Sequence, residues 1–570
     1  MKIKWTLLFA AALCFLLTLP VSAAETTGTA GDNITWTLDE STGVLTLSGE
    51  GEMKNLDYYP WHDWRGRITT VVFENGITKI AHGAFSNHPN LTTVEIPDSI
   101  TIIADYAFRG CGKLTAVQLH DGIESIGFAS FDDTGITEIK IPKATTCITR
   151  GAFSDCRNLT EIIFHDGVKV IDVDAFDGCM RLENVVIPDS VETIGGSAFS
   201  GCLSLKSVQL GKNVKEIGYS AFWNCPLLTE INIPDSVESI GNNAFSKCVA
   251  LEKVTIGAGV SELDETAFCN DTKISAFTVS PDNPYFMTDD KGVIYSKDKT
   301  KLVLFPLGFQ GEYTALSSTV EIGRMAADEN AGLTALTLPD SVKRIGEHAF
   351  DRCSNLTKVT LGEGLETIAP HAFYGLPAQE ITFHRSLKEI GQFAFSYSKL
   401  KKVTFLGSAP KIGGDAFSEV TAEAYYPDMD LTWTEQYSLG SHYAQTWVNN
   451  LQNYGGNLDW SPISVENSGS PPAPTTPKPT EPVPTPAPTE PTTAPTEPTT
   501  TQPTVPPTTS GQNMTAPTVP SAPGETEEQE PTVQIPWVEI AIDAAVVLLG
   551  GAAAWYFFIY KRSKLANHEE

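Results

Sequence analysis

Apolar residues recur between residues 68 and 417 at steps of 22 or 23, and the polar residues between them hold equally fixed places. The repeating unit is Leu-x-x-Val-x-Ile, then Val or Ile four and seven places on, then Ala-Phe-x-x-Cys. Leu228, Ile231, Ile233, Val237, Ile240, Ala244, Phe245 and Cys248 show it almost whole. Phe85, Phe108, Phe131, Phe153, Phe176, Phe199, Phe222, Phe245 and Phe268 keep the beat, and Phe350, Phe373, Phe395 and Phe417 take it up again after one gap. Each unit is too short to bury its own apolar face and becomes stable only by stacking on its neighbours, so the period predicts a solenoid. About fourteen coils are expected from Ile68 to Phe417.

Alternation inside the unit predicts its local structure. Leu91, Val94 and Ile96 are spaced as the inward side of a short strand, which leaves Thr92, Thr93 and Glu95 facing solvent. Pro-Asp-Ser follows at Pro97, Pro188, Pro234 and Pro339, and this is turn chemistry that bends the chain out of the strand. The second half of each unit is too short for a long helix, so the expectation is a mainly β coil with short turns on its outer side.

The flanks break the pattern. Ile34 to Leu38 and Val44 to Leu47 alternate around Asp39 to Gly43, a hairpin signal. With Trp61 and Trp64 this hairpin is expected to cap the first coil over residues 24–67, covering an otherwise open strand edge. Between residues 274 and 319 the beat fails; Val293-Ile294-Tyr295 and Leu302 to Phe305 there predict a second hairpin around Ser296 to Lys301, as a structural elaboration of the stack. A degenerate unit with Ala327 in the Phe place then resumes the repeat. Residues 418–467, with Tyr425-Tyr426-Pro427, Trp433, Trp447 and Trp460, are expected to cap the other end. Residues 468–536 switch to Pro and Thr and predict an extended linker without a core.

Composition places the chain outside the cell. Met1 to Ala23 follows the charge, apolar-core and small-residue order of a secretory signal. Trp537 to Tyr560 is apolar enough to cross a bilayer and ends at Lys561-Arg562-Ser563-Lys564, which predicts a single-pass anchor with residues 561–570 in the cytoplasm. No Leu-Pro-x-Thr-Gly signal for covalent wall attachment precedes it. A net charge of −30 argues against nucleic acid and against electrostatic docking on anionic lipid.

Seven cysteines (Cys111, Cys156, Cys179, Cys202, Cys225, Cys248 and Cys353) stand three residues after the repeat Phe. Stacked strands hold equivalent side chains roughly 4.8 Å apart and parallel, whereas a disulfide needs Cβ atoms near 3.8 Å that point toward each other. A ladder of buried free thiols is therefore expected, while a bridge involving Cys147 or Cys269 stays open.

The unit running from Leu228 to Cys248 resembles the BspA-like leucine-rich repeats of bacterial surface proteins over about Ile68 to Phe417. That resemblance implies a secreted or surface-displayed solenoid, with some members acting as adhesins, and no catalytic residues to carry over.

The residues themselves contain no Gly-x-Ser-x-Gly, His-Glu-x-x-His or phosphate-binding loop, so no enzyme, catalytic residue or cofactor is expected. No metal site is expected either. His120, His165 and His384 share one repeat position, but His120 and His165 lie two coils apart and cannot share an ion; Asp98 with Asp121, and Asp166 with Asp189, are better read as turn formers than as a Ca²⁺ site. Binding is left, and its natural seat is the strand face, with Glu161, Ile163, Glu183, Val186, Glu230 and Asn232 as candidates and the pair Ile163 and Val186 as its one apolar spot. The expected role is a membrane-anchored, monomeric surface solenoid that binds an extracellular protein, a glycan or a neighbouring cell. Carbohydrate binding through Trp36, Trp61, Trp64, Trp433 and Trp447 is the alternative, with a purely structural envelope role beside it.

Overall fold

The computed structural model describes residues 26–434 and 450–464, with the backbone of two further short strands, Tyr437–Leu439 and Thr446–Val448. The expected signal, linker, membrane span and cytoplasmic tail lie outside the described residues. All described residues belong to the unit Met1–Ala473. Among them no helix is long and apolar enough to cross a membrane.

The repeat forms a parallel β-solenoid. Each regular coil contributes one strand of about three residues, such as Glu161–Ile163, and one of two residues, such as Val170–Ile171. The first kind pairs in parallel between neighbouring coils, Glu138 with Glu161 and Asn184 with Ser207. The second kind builds a six-stranded parallel sheet from Cys147–Ile148 to Glu262–Leu263. A third ladder runs through the Ala-Phe turns, where Phe153, Phe176, Phe199 and Phe222 each donate a backbone N–H to the alanine carbonyl of the next coil at 2.7–2.9 Å. So the outer turns are themselves a coil-to-coil hydrogen-bond ladder, beyond the expected short bends. It requires a left-handed backbone at the residue before Ala-Phe (Ser197, Ser220, Asn243) and again two residues after Phe, where Gly178 and Gly201 have φ of 70° and 65°. Glycine adopts that conformation at no steric cost.

The repeat phenylalanines fill the interior. From Phe85 to Phe268 successive rings stack with centroids 5.3–5.5 Å apart and planes within 16° of parallel. Trp61 supplies the rung in front of Phe85, stacked at 5.5 Å, while its indole N–H donates to the Ala84 carbonyl at 2.8 Å. The antiparallel hairpin Ile34–Asp39 and Val44–Gly49 covers this end, and Val44–Gly49 continues in parallel into Thr70–Phe73. At the other end Asn457–Ile463 pairs in parallel with Thr421–Pro427, and Trp433 and Trp460 close over Phe405.

Every cysteine among the described residues is free, Cys147 and Cys269 included. The seven ladder thiols are buried, and each points at a backbone carbonyl 25 or 26 residues earlier: Cys111 Sγ lies 3.1 Å from Phe85 O, Cys156 Sγ 3.2 Å from Phe131 O, Cys248 Sγ 3.3 Å from Phe222 O and Cys353 Sγ 3.2 Å from Ala327 O. Burial pushes the Cys111 and Cys156 thiols up to about 12, which holds them protonated as donors. Pro-Asp-Ser works the same way. Ser190 Oγ donates to Val168 O in the preceding coil at 2.7 Å, and Asp189 Oδ1 accepts the Lys212 backbone N–H of the next coil at 2.9 Å. Ser236 and Asp235 repeat the pattern.

The interruption is a three-stranded antiparallel meander, Phe286–Thr288, Ile294–Ser296 and Lys301–Leu304, with one strand more than the expected hairpin. Its last strand starts a new parallel sheet with Glu321–Ile322. The meander is apolar on both faces. Ile294, Val303 and Leu304 join the core of the earlier coils, whereas Val293, Tyr295, Leu302 and Phe305 join that of the later ones. It is a partition between two stacks.

Candidate functional site

Alternation along the short strands sends one residue inward and its neighbours outward, so the stacking lines up outward residues in rows. Glu138, Glu161, Asn184, Ser207, Glu230 and Lys253 occupy one repeat position, and Lys140, Ile163, Val186, Gln209, Asn232 and Thr255 another; the paired strands bring them side by side two or three at a time. Five of the six sequence candidates stand in these two rows, and Glu183 immediately precedes Asn184 of the first. Glu183 is joined to Lys206 of the next coil at 2.8 Å and Glu230 to Lys253 at 3.8 Å, pairs that at this exposure contribute little to stability. Ile163 and Val186 are 38% and 61% exposed at equivalent positions of consecutive coils.

Exposed apolar residues also stand outside the strand rows. Leu203, Leu227 and Val249 are 38%, 45% and 45% exposed on the turns that lead from the thiol ladder into the strands. The signal was in the sequence, since the residues just after Cys202, Cys225 and Cys248 are Leu203, Pro226-Leu227 and Val249.

A groove of about 650 Å³ lies where the meander overhangs the two-residue strands. Tyr219, Asn242, Glu262 and Glu265 line it from the coils, and Phe286 and Lys301 from the meander. Lys301 is engaged there by Glu265 at 3.5 Å and Glu321 at 3.9 Å.

His120, His165 and Asp121 each make contacts that tie neighbouring residues or coils together. His120 and His165 each place Nε2 within 3.0 Å of a carbonyl in the preceding coil and accept a glycine N–H two residues on, from Gly122 and Gly167. Asp121 pairs with Lys140 and Lys143, and the latter contact does most to hold its carboxyl down at about 2. The cap tryptophans are packed inside: Trp36, Trp61 and Trp433 are buried and Trp64 is half-buried against Trp36. Their ring faces are not free to stack on sugars; the side chain of Trp447 lies outside the described residues.

A stack of short parallel coils with strand rows on one side and aromatic rungs within is a leucine-rich-repeat solenoid. Residues 62–182, 169–289 and 320–432 match the family model "BspA type Leucine rich repeat region (6 copies)". These stretches cover more than half of the 570 residues, and the chain belongs to that family. Solved structures that resemble it include a leucine-rich repeat protein from Bacteroides ovatus, at 23% identity over 66% of this chain and 93% of that one, with a TM-score of 0.46. A leucine rich cell surface protein from Faecalibacterium prausnitzii matches at 22% identity over 79% and 96%, TM-score 0.40. The pneumococcal vaccine antigen PcpA matches at 21% over 72% and 95%, TM-score 0.36. No curated protein matches the chain.

Proposed function

We propose that this chain is a membrane-anchored surface protein that holds out its solenoid to bind proteins or neighbouring cells through the strand face. One observation supports this above the others: exposed Ile163 and Val186 stand at one position of consecutive coils, with Glu161 and Glu183 beside them in the same coils. An apolar centre with a charged rim is the anatomy of a protein-recognition patch. The reading of export, linker and anchor comes from residues 1–23, 468–536 and 537–560. Sugar binding has no such support, because Trp36, Trp61, Trp64 and Trp433, the described rings that motivated it, pack within the caps.

The test is saturable binding of matrix proteins, mucins and other cells to the full chain displayed on a cell. The double substitution Ile163→Asp with Val186→Asp is expected to weaken the captured interaction at least about tenfold, as loss of a buried apolar anchor does, with folding unchanged. No saturable binding to any of these, or binding indifferent to the double substitution, contradicts the proposal.

A further inference from the structure

His348 and His371 occupy one repeat position in consecutive coils, each immediately before Ala-Phe. Both are held in the left-handed conformation of that position, with φ of 53° and 57°, and the stacking brings their rings to 4.5 Å between centroids, 11° from parallel. Asp351 closes the third side, its Oδ2 lying 2.7 Å from His348 Nδ1. One nitrogen from each imidazole and one oxygen of Asp351 are all within 4.8 Å of one another.

Two further observations set this cluster apart from a chance meeting of surface groups. Asp351 is only 4% exposed, and its Oδ1 is buried without a hydrogen-bond partner; the nearest cation, Arg352 Nε, is 3.5 Å away and the same side chain also pairs with Glu329 at 3.0 Å. Carboxylates outnumber cations around it. Glu347 stands 3.9 Å from His348 Nε2, and the half-buried Asp328 has its own buried Oδ1 without a partner. A buried, under-satisfied carboxylate in an excess of negative charge favours an incoming cation.

We propose that His348, Asp351 and His371 bind one divalent transition-metal ion of the Zn²⁺, Co²⁺, Ni²⁺ or Cu²⁺ class. Two imidazole nitrogens and one carboxylate oxygen suit these ions, whereas Ca²⁺ and Mg²⁺ ask for oxygen donors throughout. A tetrahedral ion with bonds of about 2.1 Å needs its donors roughly 3.4 Å apart. The two histidines are part-exposed, with His348 31% exposed at its side chain, and binding requires the rings to turn out of their parallel stack and the 2.7 Å contact between His348 Nδ1 and Asp351 Oδ2 to open. Binding through Nδ1 requires the His348 tautomer that carries its one proton on Nε2, facing Glu347, the kind of outer carboxylate that commonly orients a ligating histidine; any proton held between Nδ1 and Asp351 Oδ2 passes to solvent as the ion enters.

The experiment titrates Co²⁺, followed by its visible d–d absorption, and Zn²⁺, followed by calorimetry, into the full chain. One saturable equivalent with absorption of a nitrogen-ligated ion is expected, and the double substitution H348N/H371N is expected to weaken it at least about a hundredfold, since loss of even an outer partner costs ten- to a hundredfold. An unchanged metal-free melting temperature in the variant shows that the fold is intact, and Asp351→Asn provides an independent loss of a donor. Absence of a saturable site, or a site retained at parental affinity in H348N/H371N, overturns the proposal and assigns any binding to the acidic surface at large.

Discussion

The coils before the meander and the coils after it follow one template but fill its thiol position differently. Before it the position reads His88, Cys111, Thr134, then five cysteines from Cys156 to Cys248, and finally Asp271; after it come Asn330, Cys353, Leu376, Ser398 and Val420. Small thiols repeat with little strain because each donates to the carbonyl of an earlier coil. The two polar residues at this position next to the interruption in sequence, Asp271 before it and Asn330 after it, show what happens where this regularity ends. Asn330 is fully satisfied: its amide donates to Pro306 O at 3.0 Å and its oxygen accepts from the Gly332 and Leu333 N–H groups at 2.9 and 2.7 Å. Asp271 is equally buried, yet neither of its oxygens has a hydrogen-bond partner. One stack thus ends on a strained residue and the other starts on a fitted one.

Breaking a rung in either stack is expected to have the largest effect. Phe222→Ala and Phe373→Ala each remove a fully buried ring between two stacked neighbours, and each is expected to destabilise by about 3–5 kcal/mol in denaturant unfolding. Because Tyr295 and Leu304 of one meander belong to different cores, both substitutions are expected to shift the same transition. Two separate transitions, each sensitive to one substitution, refute the partition as a mechanical joint.

Asn330→Ala comes next. It leaves two N–H groups and a carbonyl unpaired in the interior, and a loss of about 2–3 kcal/mol is expected. Asp271 runs the other way: Asp271→Cys restores the consensus thiol and is expected to stabilise by about 1–2 kcal/mol.

The same residue makes stability depend on pH. Burial raises the Asp271 carboxyl to about 10, against roughly 4 in an unfolded chain. The folded chain therefore holds a proton that the unfolded chain releases, so this contribution is fully present below about pH 4 and is lost as pH rises toward about 10. Unfolding series from pH 5 to 9 are expected to slope downward in the parent and to flatten in Asp271→Cys. The smallest effect is expected at the surface, where Ile163→Asp with Val186→Asp changes stability by no more than about 1 kcal/mol while removing the proposed binding.

Periodicity made the solenoid, the Phe rungs and the unpaired thiols legible, because each follows from what recurs at a single position. Contacts between different positions of neighbouring coils were not legible. That Cys248 meets the carbonyl of Phe222, or that Ser190 and Asp189 reach backward and forward to different coils, depends on a register that composition does not state. The meander was half read: alternation showed Val293 to Tyr295 and Leu302 to Phe305 as paired strands, but not that both faces would be buried. Of the candidate site, the outward rows were legible from alternation, whereas the apolar turns at Leu203, Leu227 and Val249 escaped notice because they lie between elements. The sharing of one repeat position by His348 and His371 is visible in the sequence, but their meeting with Asp351 is not, because it depends on the left-handed turn that stacks the two rings.

Thiol accessibility tests the stacked architecture most directly. Alkylation of the native full chain under non-reducing conditions, mapped by mass spectrometry, is expected to leave Cys111, Cys156, Cys179, Cys202, Cys225, Cys248 and Cys353 unlabelled until the chain unfolds, and then to label all seven without a reductant. Labelling of these seven in the folded chain, or their release only after reduction, contradicts a ladder of buried free thiols and with it the stacking of the coils.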